Sequence, residues 1–220
     1  MSAHFWKKDS PDGVHRFYSP AHTKSRRMKH NSLRQSTIAL ATFLSLAAFA
    51  QAHPGHGTGG FANGFAHPLH GLDHILAMLA VGLWAAQLGG RAKWLVPASF
   101  TGVMALGGAL GVAGVGLPFA EQGIAASVLI LGVLIAAAVR LPLAASMGIV
   151  GLFALCHGHA HGAEMPVNVV GAVYALGFTA ATALLHGCGI GLGVAMQRMA
   201  KAEWLRAGGV AISAAGLLML

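Results

Sequence analysis

Six long apolar stretches, separated by very short dividers, constrain the possible folds of this chain more than any other feature. They cover residues 67–88, 94–114, 118–139, 141–161, 167–196 and 204–220. Each approaches the roughly 20 residues that a helix needs to cross a bilayer, although the last is short. The dividers leave no room for a soluble domain, and the alternating pattern of barrel strands is missing from the sequence. We therefore predict an all-α, polytopic membrane protein with about six transmembrane helices.

The composition supports a membrane protein and argues against nucleic acid as a partner. The chain is 55% hydrophobic and 9% charged, whereas soluble domains are about 25% charged. Its net charge of +8 could suggest nucleic acid, but residues 1–52 hold eight of the 14 Lys and Arg against two Asp. The remaining 168 residues are close to neutral. Because the basic residues do not cluster on a solvated domain, nucleic acid is not expected as a partner.

The basic leader has the organisation of a secretory signal peptide. Residues 28–52 combine a positive start, an apolar run and the cleavage box Ala50-Gln51-Ala52. An uncleaved anchor helix is the alternative interpretation. Met28 stands where such a peptide should begin, so residues 1–27 are interpreted as a start-site over-extension. Cleavage would leave residues 53–66 as a flexible external His- and Gly-rich segment before a membrane domain at 67–220.

Basic residues predict the orientation of the membrane domain. If the mature N-terminus is outside, every basic residue beyond the leader falls in an inner loop, as the positive-inside rule requires. These residues are Arg91, Lys93, Arg140, Arg198, Lys201 and Arg206. Glycines are also dense within the stretches, which favours close helix packing. Local loosening of the fifth helix around residues 187–191 is the alternative.

Nine of the 13 histidines lie beyond the leader, and none falls in a predicted inner loop. His53 would be the mature N-terminus, where its α-amine and imidazole can chelate a divalent metal, with His56 close behind. A disordered, solvated tail is the alternative for this pair.

The block HPLHGLDH, residues 67–74, opens the first apolar stretch. His67, His70 and His74 recur at i, i+3 and i+7, which predicts one shared helix face. Imidazole and carboxylate ligands suit Ni²⁺, Co²⁺ or Zn²⁺. Asp73 is therefore a candidate ligand, or alternatively the acceptor that orients a histidine. Ionisable groups at membrane depth are candidates for function.

A second block, CHGHAHGAE at residues 156–164, closes the fourth stretch. His157, His161 and Glu164 recur at i, i+4 and i+7, whereas His159 points elsewhere and is predicted to play a supporting role. The assigned topology places this block on the same side of the membrane as HPLHGLDH. The two blocks can therefore meet in space.

Four further residues have weaker signals. His186 lies deep in the fifth stretch and is either a later station on a path or a structural residue. Met78 lies one turn beyond His74 and offers a thioether, although methionine usually fills space. Cys156 and Cys188 are interpreted mainly as small buried hydrophobes, with metal contact as the alternative.

With these motifs the sequence resembles the HupE/UreJ family of nickel/cobalt permeases, which are accessory to hydrogenase and urease. The blocks HPLHGLDHILAM (67–78), CHGHAHGAEMP (156–166) and LLHGCGIGLG (184–193) carry the resemblance. One departure is Cys156, because the family commonly has an aromatic residue before this His-Gly pair.

The resemblance implies uptake of Ni²⁺ or Co²⁺ through a bacterial inner membrane, and the charge pattern predicts that the mature N-terminus is in the periplasm. It implies first-span transport residues and fourth-span counterparts, namely His67, Asp73, His74, His157, His161 and Glu164. The metal is expected as a transported substrate and not as a permanent cofactor, with an indirect link to nickel-enzyme maturation. Homo-oligomerisation stays open.

The leading hypothesis is thus a secondary transporter and not an enzyme. The sequence has no Walker A motif, so it gives no support for ATP coupling within the chain. An intramembrane metal-dependent hydrolase and a metal-sensing scaffold are the alternative hypotheses.

Overall fold

The computed structural model describes residues 60–166, 170–199 and 201–220, and all its regular elements in these ranges are α-helices. The helices are α1 (Gly60–His70), α2 (Leu72–Leu88), α3 (Ala92–Val112), α4 (Ala120–Ala136), α5 (Leu143–Ala163), α6 (Gly171–Arg198) and α7 (Ala202–Met219). The predicted all-α, polytopic class is confirmed, because each apolar stretch corresponds to a helix or a helix pair. The leader, His53 and His56 lie outside the described residues.

The helices differ in whether they are long and apolar enough to cross a membrane. Among the described residues, α3, α5 and α6 are long and apolar enough to cross a membrane, and α1 with α2 would form a fourth, broken span. Helix α4 is apolar but has 17 residues, which gives about 25 Å at the rise of an α-helix. Helix α7 carries Glu203 in its first turn, and Arg206 follows three residues later.

The first apolar stretch is not one continuous helix. Helix α1 begins at Gly60, so the prediction of a flexible segment as far as residue 66 is wrong for residues 60–66. The axis then bends by 85° between α1 and α2. Gly71 lies at the bend in an extended conformation, and its carbonyl accepts the first bond of α2, from Ile75. Glycine disfavours the helix interior, and Pro68 cannot donate a backbone hydrogen bond just before the break.

Glycine lets the helices approach closely in three pairs. Helices α3 and α5 run parallel, with Gly107 against the backbone of Leu155 and Gly158 against that of Met104. In the α2–α6 pair, Gly189 packs on the backbone of Leu79, and α6 continues as a helix through residues 187–191. Helices α4 and α7 run antiparallel, and Gly132 packs on Ser213. The packing interpretation is therefore confirmed for these glycines.

The basic residues gather at one end of the bundle, which we call the basic end. Arg91, Arg140 and Arg198 lie at or just beyond the C-termini of α2, α4 and α6. Hydrogen bonds join these termini, because Gln197 Nε2 donates to the carbonyl of Ala86 at 3.0 Å. Arg206 Nε of α7 donates to the carbonyl of Ala136 at 2.8 Å. The histidine-bearing termini of α1 and α5 lie at the opposite end.

A candidate metal pathway

The two histidine blocks meet, although about 85 residues separate them in the sequence. We call His67, His74, His157 and His161 the histidine cluster. Ring centroids lie 4.7 Å apart for His67 and His161, and 4.4 Å apart for His74 and His161. The rings of His74 and His157 are 4.9 Å apart. The sequence-based expectation that the blocks can meet is confirmed, whereas their binding of metal stays a prediction.

The break at Gly71 changes how the first block reaches this cluster. His67 and His70 belong to α1, and His74 belongs to α2, so the predicted single helix face for all three is wrong. His70 is exposed, and its Nδ1 donates to the carbonyl of Ala66 at 2.8 Å. Across the bend, His67 of α1 and His74 of α2 both contact the buried His161 ring.

The outermost part of the cluster is an imidazole–carboxylate pair. His67 Nε2 lies 3.1 Å from Glu164 Oε2, and their side chains are 29% and 60% exposed. Glu164 follows the last residue of α5 and does not lie on its buried face beside His157 and His161. The pair therefore offers an oxygen and a nitrogen ligand where the cluster meets its surroundings.

Asp73 holds His74 through a short hydrogen bond. Its Oδ1 accepts from His74 Nδ1 and from the backbone N–H of His74, each at 2.8 Å. A carboxylate in the first turn of α2 is also favoured by the helix dipole. Because the proton lies on Nδ1, the lone pair of His74 is on Nε2. This geometry agrees with the alternative in which Asp73 orients a histidine.

Gly71 leaves room for this pair. A methyl group at Gly71 would lie 2.6 Å from Asp73 Oδ1 and 2.8 Å from His74 Nδ1. Both distances are shorter than van der Waals contact, so a side chain at this position would push Asp73 or His74 out of its present place. The glycine in HPLHGLDH thus has a steric role as well as a conformational one.

His157, His161 and His186 are 0%, 3% and 2% exposed. Ser127 of α4 lies 3.0 Å from His157 Nε2. In the described part of the chain, these nitrogens have no hydrogen-bond partner: His74 Nε2, His157 Nδ1, His161 Nδ1, His161 Nε2 and His186 Nε2. Buried polar atoms are normally paired, because an unpaired one costs about 1–3 kcal/mol. Histidine nitrogens are five of the seven such side-chain atoms in the described residues, which makes these rings the candidate site.

These ring nitrogens do not form a complete metal site in the structure. Within residues 60–166, 170–199 and 201–220, no group of three or more His, Cys, Asp or Glu side chains is arranged to hold an ion. The histidine rings are neighbours all the same, with centroids 4.4 to 4.9 Å apart. A cavity of about 440 Å³ between α3, α5 and α6 reaches His161 and leaves space beside its ring.

His186 continues the line of rings inward. It is the sixteenth residue of α6, about 22 Å from the start of that helix. The Phe100 ring of α3 contacts both histidines, with centroids 5.6 Å from His157 and 5.1 Å from His186. Phe100 therefore links His186 to the histidine cluster.

The remaining candidates lie outside this line. His159 Nε2 donates to the carbonyl of Val115 at 2.7 Å, so it ties α5 to the loop after α3. Met78 is fully buried in α2. Cys156 and Cys188 are free thiols of intermediate exposure, and Cys156 Sγ lies 3.8 Å from the carbonyl of Leu152.

Two aromatic residues that the sequence analysis missed lie against the histidine rings. Phe178 lies 4.1 Å from the His161 ring, and Tyr174 lies 5.9 Å from the His67 ring, measured between centroids. Both belong to α6 at i and i+4, so their spacing could have assigned them to one face. Ser127 and Phe100 lie in ordinary apolar sequence, where no local pattern distinguishes them.

The fold and the buried histidines define a polytopic helical membrane protein. The HupE / UreJ protein family model matches residues 40–219, and this chain belongs to that family. The chain is also similar to Protein HupE of Rhizobium leguminosarum bv. viciae, at 45% identity over 195 residues, covering 88% of this chain and 99% of that protein. No solved structure matches the chain.

Proposed function

We propose that this protein is a secondary transporter that moves Ni²⁺ or Co²⁺ from the periplasm into the cytoplasm. Its metal would supply the maturation of hydrogenase or urease. Membership of the HupE / UreJ family supports the metal and the accessory role. The single observation that carries the mechanism is the line of buried imidazoles whose nitrogens have no partner among the described residues.

The order of exposure along the cluster suggests the order of events. The ion first meets the exposed Glu164 and the half-buried His67, whose carboxylate and imidazole replace part of its water shell. His53 and His56, outside the described residues, would capture the hydrated ion before this step. The ion then passes to the buried His161, with His74 and His157 beside it. Mixed imidazole and carboxylate ligands suit a borderline divalent ion.

Release requires that no station hold the ion too firmly, because conduction fails where binding is too strong. No group of three or more ligating side chains is arranged to hold an ion among the described residues, which agrees with successive partial ligation. His186, in contact with Phe100, would receive the ion and pass it toward the basic end. In this proposal the metal is the transported substrate.

The distribution of charge and tryptophan supports the direction. The six basic residues near the basic end support a cytoplasmic location for that end under the positive-inside rule. Trp94 and Trp204 are exposed near this end, where tryptophan commonly lies at a membrane interface. A membrane potential negative inside favours entry of a divalent cation by roughly 4–5 kcal/mol per 100 mV.

Radiolabelled nickel uptake into liposomes with the purified protein tests this proposal. The wild-type protein should accumulate nickel above protein-free liposomes, and His74→Ala and His157→Ala should each reduce the initial rate strongly. Wild-type uptake in both variants would refute the pathway. Hydrolysis of a peptide or lipid without nickel uptake would favour the metalloenzyme hypothesis instead.

A further inference from the structure

Ser127 of α4 is the one described side chain outside the two histidine blocks whose polar atom lies within hydrogen-bond distance of a cluster histidine. It is fully buried. Its Oγ lies 2.6 Å from the carbonyl oxygen of Ile124 and 3.0 Å from His157 Nε2. These two contacts together determine where the protons lie.

A serine hydroxyl has one proton to donate and two lone pairs with which to accept. The carbonyl of Ile124 can only accept, so the Ser127 proton must point to it across the 2.6 Å contact. If that proton pointed to His157, two acceptor oxygens would face each other at 2.6 Å. Ser127 Oγ must therefore accept, and His157 Nε2 must donate.

We infer that Ser127 is a positioning residue that fixes His157 as its Nε2–H tautomer, so that Nδ1 is the nitrogen that binds the transported metal. His157 Nδ1 is the buried nitrogen for which the described chain provides no partner. The inference rests on the proposed function in its metal-binding part, whereas the tautomer follows from the hydrogen bonds alone.

The arrangement mirrors the pair on α2. Asp73 occupies Nδ1 of His74 and leaves Nε2 without a partner in the described residues. Ser127 occupies Nε2 of His157 and leaves Nδ1. Partners of this kind set the tautomer and orientation of metal-binding histidines. A neutral hydroxyl holds the ring without adding a charge to the buried site.

The tautomer can be measured directly by ¹⁵N NMR of histidine-labelled protein in lipid, with His157→Ala to assign the signals. In the wild type, Nε2 of His157 should carry a directly bonded proton and Nδ1 should carry none. In Ser127→Ala, the signals should shift toward a mixture of both tautomers. A proton on Nδ1 in the wild type would overturn the inference.

Nickel uptake tests the consequence. Ser127→Ala should raise the half-saturating nickel concentration about tenfold, the lower end of the effect of losing such a partner. Ser127→Thr, which keeps the hydroxyl, should restore most of the affinity. The matched control is Ser146→Ala, since Ser146 is also buried and donates to the carbonyl of its own helix at Pro142, without a histidine partner.

In a His157→Ala background, Ser127→Ala should have no further effect, because the two residues act as one unit. Equal effects of Ser127→Ala and Ser146→Ala would overturn the positioning role. If the wild type shows the Nε2 proton but takes up no nickel, the proposed function fails while the tautomer assignment stands.

Discussion

The two ends of the helix bundle differ in how many of their buried polar atoms are paired, although Gln87 Oε1 near the basic end also has no partner in the described residues. At the basic end, Trp84 Nε1 donates to the carbonyl of Val139 at 3.0 Å, and Gln87 Nε2 donates to that of Ile135 at 3.2 Å. These bonds join helix C-termini, where backbone carbonyls lack helical partners. At the histidine end, buried ring nitrogens are left without partners in the described chain.

This difference distinguishes polar side chains that stabilise the fold from polar side chains that are candidate metal ligands. Donors at the basic end satisfy carbonyls and hold helices together. At the histidine end, Asp73 and Ser127 each bond to one ring nitrogen of a histidine, His74 and His157 respectively. The other nitrogen of each ring has no partner in the described residues. Leaving them unpaired costs stability, and binding a cation would offset that cost.

The largest expected effect on nickel uptake distinguishes two histidines of the same helix, α5. His161→Ala should abolish nickel uptake, because His161 contacts both His67 and His74 and both its nitrogens lack described partners. His159→Ala is the matched control and should keep most uptake, since His159 bonds to the Val115 carbonyl. Initial rates in liposomes measure both. Equal losses would show that the cluster has no special role.

A smaller effect is expected from the bend. Gly71→Ala should reduce uptake about tenfold, since a methyl group there would push Asp73 or His74 out of its present place. Gly116→Ala is the control, because its added methyl meets no atom within 4 Å. Circular dichroism should show unchanged helix content in both variants. Unaltered uptake in Gly71→Ala would contradict the role given to Asp73.

The smallest effect on transport should come from the basic end. Gln197→Ala removes the bond to the Ala86 carbonyl and should lower the free energy of unfolding by about 1 kcal/mol. The half-saturating nickel concentration should not change. Thermal unfolding in detergent and liposome uptake measure the two quantities. A strong increase in the half-saturating nickel concentration of Gln197→Ala would contradict the distinction between the two ends.

Much of this organisation could be predicted from the sequence. Apolar length predicted the helices, and the motif histidines proved to meet in space. The break at Gly71 could not be predicted from periodicity, because the i, i+3, i+7 spacing of His67, His70 and His74 fits a continuous helix equally well. Only the bend shows that His67 and His74 lie on different helices.

Residues that act through tertiary contact were also missed. Ser127 is 30 residues from His157 in the sequence, and a serine in an apolar helix usually bonds to its own backbone. Phe100 lies in ordinary apolar sequence, and only the structure shows that its ring contacts both His157 and His186. Such partners depend on helix packing, which local patterns do not specify.

X-ray absorption at the nickel edge of the metal-loaded protein in lipid tests the central claim most directly. We predict nitrogen ligands with the outer-shell scattering of imidazole, reduced in His161→Ala and unchanged in His159→Ala. A nickel ion surrounded only by water oxygens, or an identical spectrum in His161→Ala, would contradict the claim that the unpaired buried nitrogens are the metal ligands.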